Sequence, residues 1–103
     1  MIVATFGGAG AQRTLDISGH ARSGSEGSPE VCAAASALAF ALAEFLHDKD
    51  ADMSCNDSDG HMMLSSSGDA HRDAWGVTET GFEQLAANYP QYVKIIYKFS
   101  FGS

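Results

Sequence analysis

The sequence predicts an α+β fold: a two-layer sandwich, ββαββαβ, with two helices on one face of a mostly antiparallel sheet. Three observations predict it. Short segments such as MIVATF, TLDIS and YVKIIYKF alternate or run apolar over strand lengths. Two longer stretches, from Pro29 and around Trp75, repeat apolar residues at helical spacing. The turn-forming clusters GGAG at 7–10 and DSDG at 57–60 separate paired strand candidates.

MIVATF is the first strand and GGAG its turn. AQRTLDISGHA is the second strand, half-buried by its alternation through Thr14, Leu15, Asp16, Ile17 and Ser18. RSGSEGSP holds no apolar anchor and reads as a loop. The first helix starts with Ser28 as cap, Pro29 in the first turn and Glu30 at the positive helix end, and runs to about Leu46. Val31, Leu38, Leu42 and Phe45 form one face. Ala33, Ala37 and Ala41 form a second that allows close approach. One side is expected to meet the sheet and another a second subunit.

ADMSCN and HMMLSSS follow as a hairpin joined by DSDG. A calcium loop fails there, because Cys55 stands where an oxygen ligand is needed and Ser66 where a glutamate is needed. The second helix starts near Asp69 or His71 and ends at Asn88, before Pro90. Gly76 and Gly81 weaken it, each by about 1 kcal/mol relative to alanine. In the last strand Val93, Ile95, Tyr97 and Phe99 face one way, and Lys94 and Lys98 the other.

The 103 residues suffice for one core, and a single domain over 1–103 is expected. The net charge of −7 argues against nucleic acid, which demands a basic surface, and suits a basic partner. The longest apolar run is rich in alanine and broken by Ser36 and Glu44, so no membrane span is expected. The start of the chain lacks a secretory pattern, and the expected location is cytoplasmic. The two cysteines, Cys32 and Cys55, are then free thiols.

Cys32 lies in the first turn or so of the first helix, where unpaired N–H groups favour an anion. His20 precedes it across the loop. A thiol attacks only as thiolate, and an imidazole can pair with that thiolate and then protonate a leaving group. Free N–H groups at the helix end can serve as an oxyanion hole. Ser36 is one turn on, and it either orients the pair or bonds back to its own helix. Asp16, on the strand before His20, is too far for a third member unless the strand bends. On spacing alone a cysteine beside alanines is more often a small core residue, and that reading stands ahead of the catalytic one.

Cys55 is expected to pack. His47, His61 and His71 show no zinc-type spacing with it, so solvated or cap-like histidines are expected and no metal or cofactor. Trp75 is read as core; Phe40 is open between an aromatic pocket and a dimer contact.

The words SGHA and VCAAASAL, joined by a glycine-containing loop, resemble the ribosomal-processing cysteine protease family, Prp. GFEQLAANYPQYVKI resembles that family's closing helix and strand, so the resemblance spans nearly the whole chain. It implies a homodimeric protease that removes the N-terminal extension of a bacterial large-subunit ribosomal protein, cutting after aromatic residues. By position His20 and Cys32 match the catalytic dyad and Ser36 a recurrent serine. Gly24 or Gly27 matches the glycine of a loop that closes over an extended peptide. Gly19 and Ala33, inside the matched words, are supporting or substrate-binding positions by the same likeness. Pro29 departs from the pattern, which has an aspartate three residues before the cysteine, and this bears on specificity more than on chemistry. Two other readings remain: a thiol protease or acyl-transfer enzyme with another substrate, such as a phage protein, and a non-catalytic dimeric peptide-binding domain.

Overall fold

The computed structural model describes residues 1–19, 29–49, 53–58, 61–67 and 71–100. Its elements are β1 (Ile2–Ala9), β2 (Gln12–Ser18), α1 (Pro29–Lys49), β3 (Ser54–Ser58), β4 (His61–Ser67), α2 (Arg72–Asn88) and β5 (Val93–Ser100). The five-stranded sheet has the order β3-β4-β2-β1-β5. Among the described residues only the β1–β5 pair is parallel; the other three ladders are antiparallel. The ββαββαβ sandwich is therefore the observed fold.

Alternation builds one apolar sheet face. Ile2, Ala4 and Phe6 stand beside Ile17 and Leu15, and these beside Met62 and Leu64. All are buried in one cluster with Val31, Leu46, Trp75 and Phe82 of the helices. The Phe6 and Phe82 rings meet edge to face at 5.7 Å. The other sheet face carries Asp16, His61 and Lys94. This one-sided burial is what an antiparallel sheet permits.

Several boundaries differ from the sequence expectation. β1 continues through Gly7 and Gly8 to Ala9, because both glycines find ladder partners in β2 and β5. The turn lies at Gly10–Ala11. β3 takes in Asp57 and Ser58, which pair with Met62 and His61. α1 reaches Lys49.

The buried stripe of α1 is Val31, Ala35, Ala39, Leu42, Ala43 and Leu46. The close-packing alanines are thus 35, 39 and 43; Ala33, Ala37 and Ala41 face outward. Phe45 is not in the core but 42% exposed, against His71 and beneath Lys49. By length and mean hydropathy this 21-residue helix is able to cross a membrane. Here its inner stripe fills the core instead.

Gly81 has a packing reason. A side chain there would meet Leu38 Cδ2 at 2.8 Å, so the glycine lets α2 close on α1. In α2 Trp75, Thr78 and Phe82 are buried, Leu85 is half-buried, and Tyr89 lies beyond the helix, exposed.

Candidate active site

The fold brings the start of α1 to one end of the sheet. Pairing of Val3 with Ser18, Ser18 with His61, and His61 with Ser58 defines that end. Ser54, Ser65 and Thr14 lie toward the opposite end. α1 is tethered there through the five steps from Lys49 to Ser54, a reach of at most about 18 Å. Its Phe45 also touches His71, which stands just before α2. At 1.5 Å per residue α1 is about 30 Å long, whereas β2 is about 24 Å at 3.4 Å per residue. The first turn of α1, with Cys32, therefore reaches the Ser18 end.

Cys32 is the fourth residue of α1 and half-buried, packed against the core cluster without belonging to it. Ser36, one turn on, is also half-buried, and Ala33 and Pro29 are exposed. The thiol thus sits on the shoulder of the helix, between core and solvent. The stripe that fills the interior begins with its neighbour Val31, 1% exposed. Gly19 leaves β2 at the same end with φ +83°. The expectations for His20, Gly24, Gly27 and the Ser28 cap lie outside the described residues.

Asp16 is not a partner of Cys32. Leu15 and Ile17 turn inward, so Asp16 points to the opposite sheet face. There its Oδ1 lies 2.7 Å from His61 Nε2. Sequence reading missed this pair; the signal was the two polar positions falling diagonally opposite once β2 pairs with β4.

Cys55 does not pack. It lies exposed on β3, the sheet's edge strand. Partial desolvation of its sulfur against the strand, then the charge of Asp57, pushes its thiol pKa up. The two cysteines therefore differ in burial, Cys32 half-buried and Cys55 exposed. Among the described residues no His, Cys, Asp and Glu group is arranged to hold a metal ion. His47 is exposed in the last turn of α1, and His71 occupies the N-cap position of α2 without a side-chain cap bond.

A shoulder thiol at a helix start suits nucleophilic chemistry, and comparison with known proteins bears on it. The chain is similar to SMU.848 of Streptococcus mutans at 28% identity, with 97% of this chain and 96% of that one covered and a TM-score of 0.75. It also shares its fold with the essential ribosomal processing protease Prp of Staphylococcus aureus. The structure of that protease with a substrate peptide is matched at 21% identity and TM-score 0.79, and that with a covalently linked product peptide at 22% and 0.75. Each match covers 95% of this chain and 100% of the other. No curated protein matches the sequence. The model of the family Cysteine protease Prp matches residues 1–94, a span that holds both helices and the shoulder thiol. The chain therefore belongs to the Prp family and is a cysteine protease.

Proposed function

We propose that the protein is an endopeptidase that removes the N-terminal extension of a bacterial large-subunit ribosomal protein, cutting after an aromatic residue. The observation that supports the reading is the place of Cys32: half-buried in the opening turns of α1 and packed against the edge of the core cluster. The thiolate of Cys32 attacks the scissile carbonyl carbon. His20, as imidazolium, gives its proton to the departing amine, leaving a thioester. Water then attacks the thioester, His20 takes up its proton, and the new carboxylate leaves with the thiol restored. N–H groups of the first helical turn hold the oxyanion. Ser36, Ala33 and the glycines 19, 24 and 27 shape the surroundings.

The Staphylococcus aureus relative, which carries a covalently linked product peptide, supports the covalent route. The charge of −7 supports a basic substrate. The same proposal includes a cytoplasmic homodimer, supported by the outward apolar residues Ala33, Ala37, Phe40 and Ala41 of α1.

A peptidyl chloromethyl ketone ending in phenylalanine tests the chemistry. One peptide mass should appear on Cys32, faster than with an alanine-ended reagent, and none on Cys32→Ser. Equal labelling of Cys32 and Cys55 would overturn the reading.

A further inference from the structure

β2 ends at Ser18, and Gly19 follows with φ +83°, in the left-handed region that side chains disfavour. A Cβ placed there would lie 2.1 Å from the Met1 carbonyl oxygen, 3.2 Å from its carbon and 3.7 Å from Ile2 Cα. All three are backbone atoms, so no rotamer change relieves the contact. Nor can that backbone retreat. Ile2 N–H donates to the Tyr92 carbonyl at 2.8 Å, and Val3 is laddered to Ser18. Met1 and Ile2 are held between β2 and β5, and Gly19 closes over them.

The next residue in the sequence is His20, joined to Gly19 by one peptide bond. We propose that Gly19 is a positioning residue of the protease: its tight seat on the Met1 backbone sets where and in which direction the chain leaves β2, and so sets the origin of the imidazole. The proposal rests on the Cys32–His20 dyad proposed above. A side chain at 19 must swing the exit of β2, and misplacing a catalytic group by about 1 Å can lower a rate a hundredfold.

Gly8 supplies a matched control. A Cβ there would lie 2.1 Å from the Gln12 carbonyl oxygen, again backbone, with φ +154°. It sits by the β1–β2 turn, at the other end of the sheet. Alanine at either position meets a comparable obstacle, but only position 19 adjoins His20.

The experiment uses the full chain carrying Cys55→Ser, so that Cys32 is the sole thiol. Iodoacetamide alkylation is followed from pH 5 to 9, and kcat and KM are measured on a peptide substrate, for the parent, His20→Ala, Gly19→Ala and Gly8→Ala. The parent should stay reactive at pH values where an unassisted thiol is protonated, and His20→Ala should lose that reactivity. Gly19→Ala should follow His20→Ala in its alkylation profile and lose about a hundredfold in kcat with KM changed less than fivefold. Gly8→Ala should keep the parent profile at a similar loss in Tm. If Gly19→Ala does not fold, one glycine inserted after Gly19 keeps the Met1 contact and releases only the offset of His20; it should give the same altered profile. A parent-like profile in the folded Gly19→Ala protein, or in the insertion variant, overturns the positioning role while leaving the dyad standing. A parent profile that His20→Ala does not alter overturns the dyad, and the positioning role with it.

Discussion

Trp75 Nε1 donates a hydrogen bond to Ser66 Oγ at 2.9 Å, and both residues are buried. This bond joins the first turns of α2 to β4 inside the core. Ser66→Ala leaves a buried indole N–H unsatisfied and should cost about 1–3 kcal/mol. Urea unfolding followed by the fluorescence of Trp75 measures it. A loss under about 0.5 kcal/mol, the size of a neutral surface change, would contradict the assignment.

The two glycines of α2 should part company. No described atom lies within 4 Å of a Cβ at Gly76, so Gly76→Ala should gain helix propensity, up to about 1 kcal/mol. At Gly81 the same gain is opposed by Leu38, and Gly81→Ala should fall short of it. Truncating Leu38 in a double-mutant cycle should restore the missing gain at position 81. Equal single effects would show that α1 and α2 do not meet there.

Asp16 faces away from α1, paired with an exposed histidine. Asp16→Ala should therefore leave kcat/KM within about twofold of the parent and cost less than about 1 kcal/mol, as screened surface pairs do. A hundredfold loss of activity would restore Asp16 as a third catalytic member.

Two groups on the α2–β5 side should tie stability to pH. Burial raises the Glu79 carboxyl pKa; Glu83 adds to this and Arg13 opposes it. The folded state then holds this proton to higher pH than the unfolded chain. That contribution is complete below the ordinary carboxylate pKa and is lost as pH rises through the raised value. The Tyr97 hydroxyl is pushed up to about 12 by burial, by its bond to Glu83 and by the charges of Glu83 and Glu79. Its contribution is lost between the ordinary 10 and about 12. Solvent limits the size, since Tyr97 is 47% exposed. Thermal melts should show the acid-side slope removed by Glu79→Gln and the alkaline slope reduced by Tyr97→Phe. Unchanged slopes would refute both.

The fold was legible because its signals are local. Alternation in Ile2–Phe6 and Leu15–Ile17, and the proline-started alanine run, state their own periods. What stayed hidden depends on neighbours. Gly7 and Gly8 read as a turn until β5 and β2 offer them ladders. The choice between two alanine stripes on α1 turns on which one meets the sheet. Cys55 looked like core because a strand seems to imply cover, and β3 is an edge. In the candidate site the place of Cys32 near the start of α1 was legible from Pro29 and the alanine run, whereas the seat of Gly19 on Met1 joins residues eighteen positions apart in sequence.

The most direct measurement is product mass. A ribosomal protein precursor with an aromatic-ended N-terminal extension is incubated with the protein, with Cys32→Ser and His20→Ala in parallel. The account predicts a single cut after the aromatic residue, absent with Cys32→Ser and slowed at least about a hundredfold with His20→Ala. An intact precursor beside a folded parent protein would contradict the ribosomal assignment, and cutting by Cys32→Ser would contradict the nucleophile.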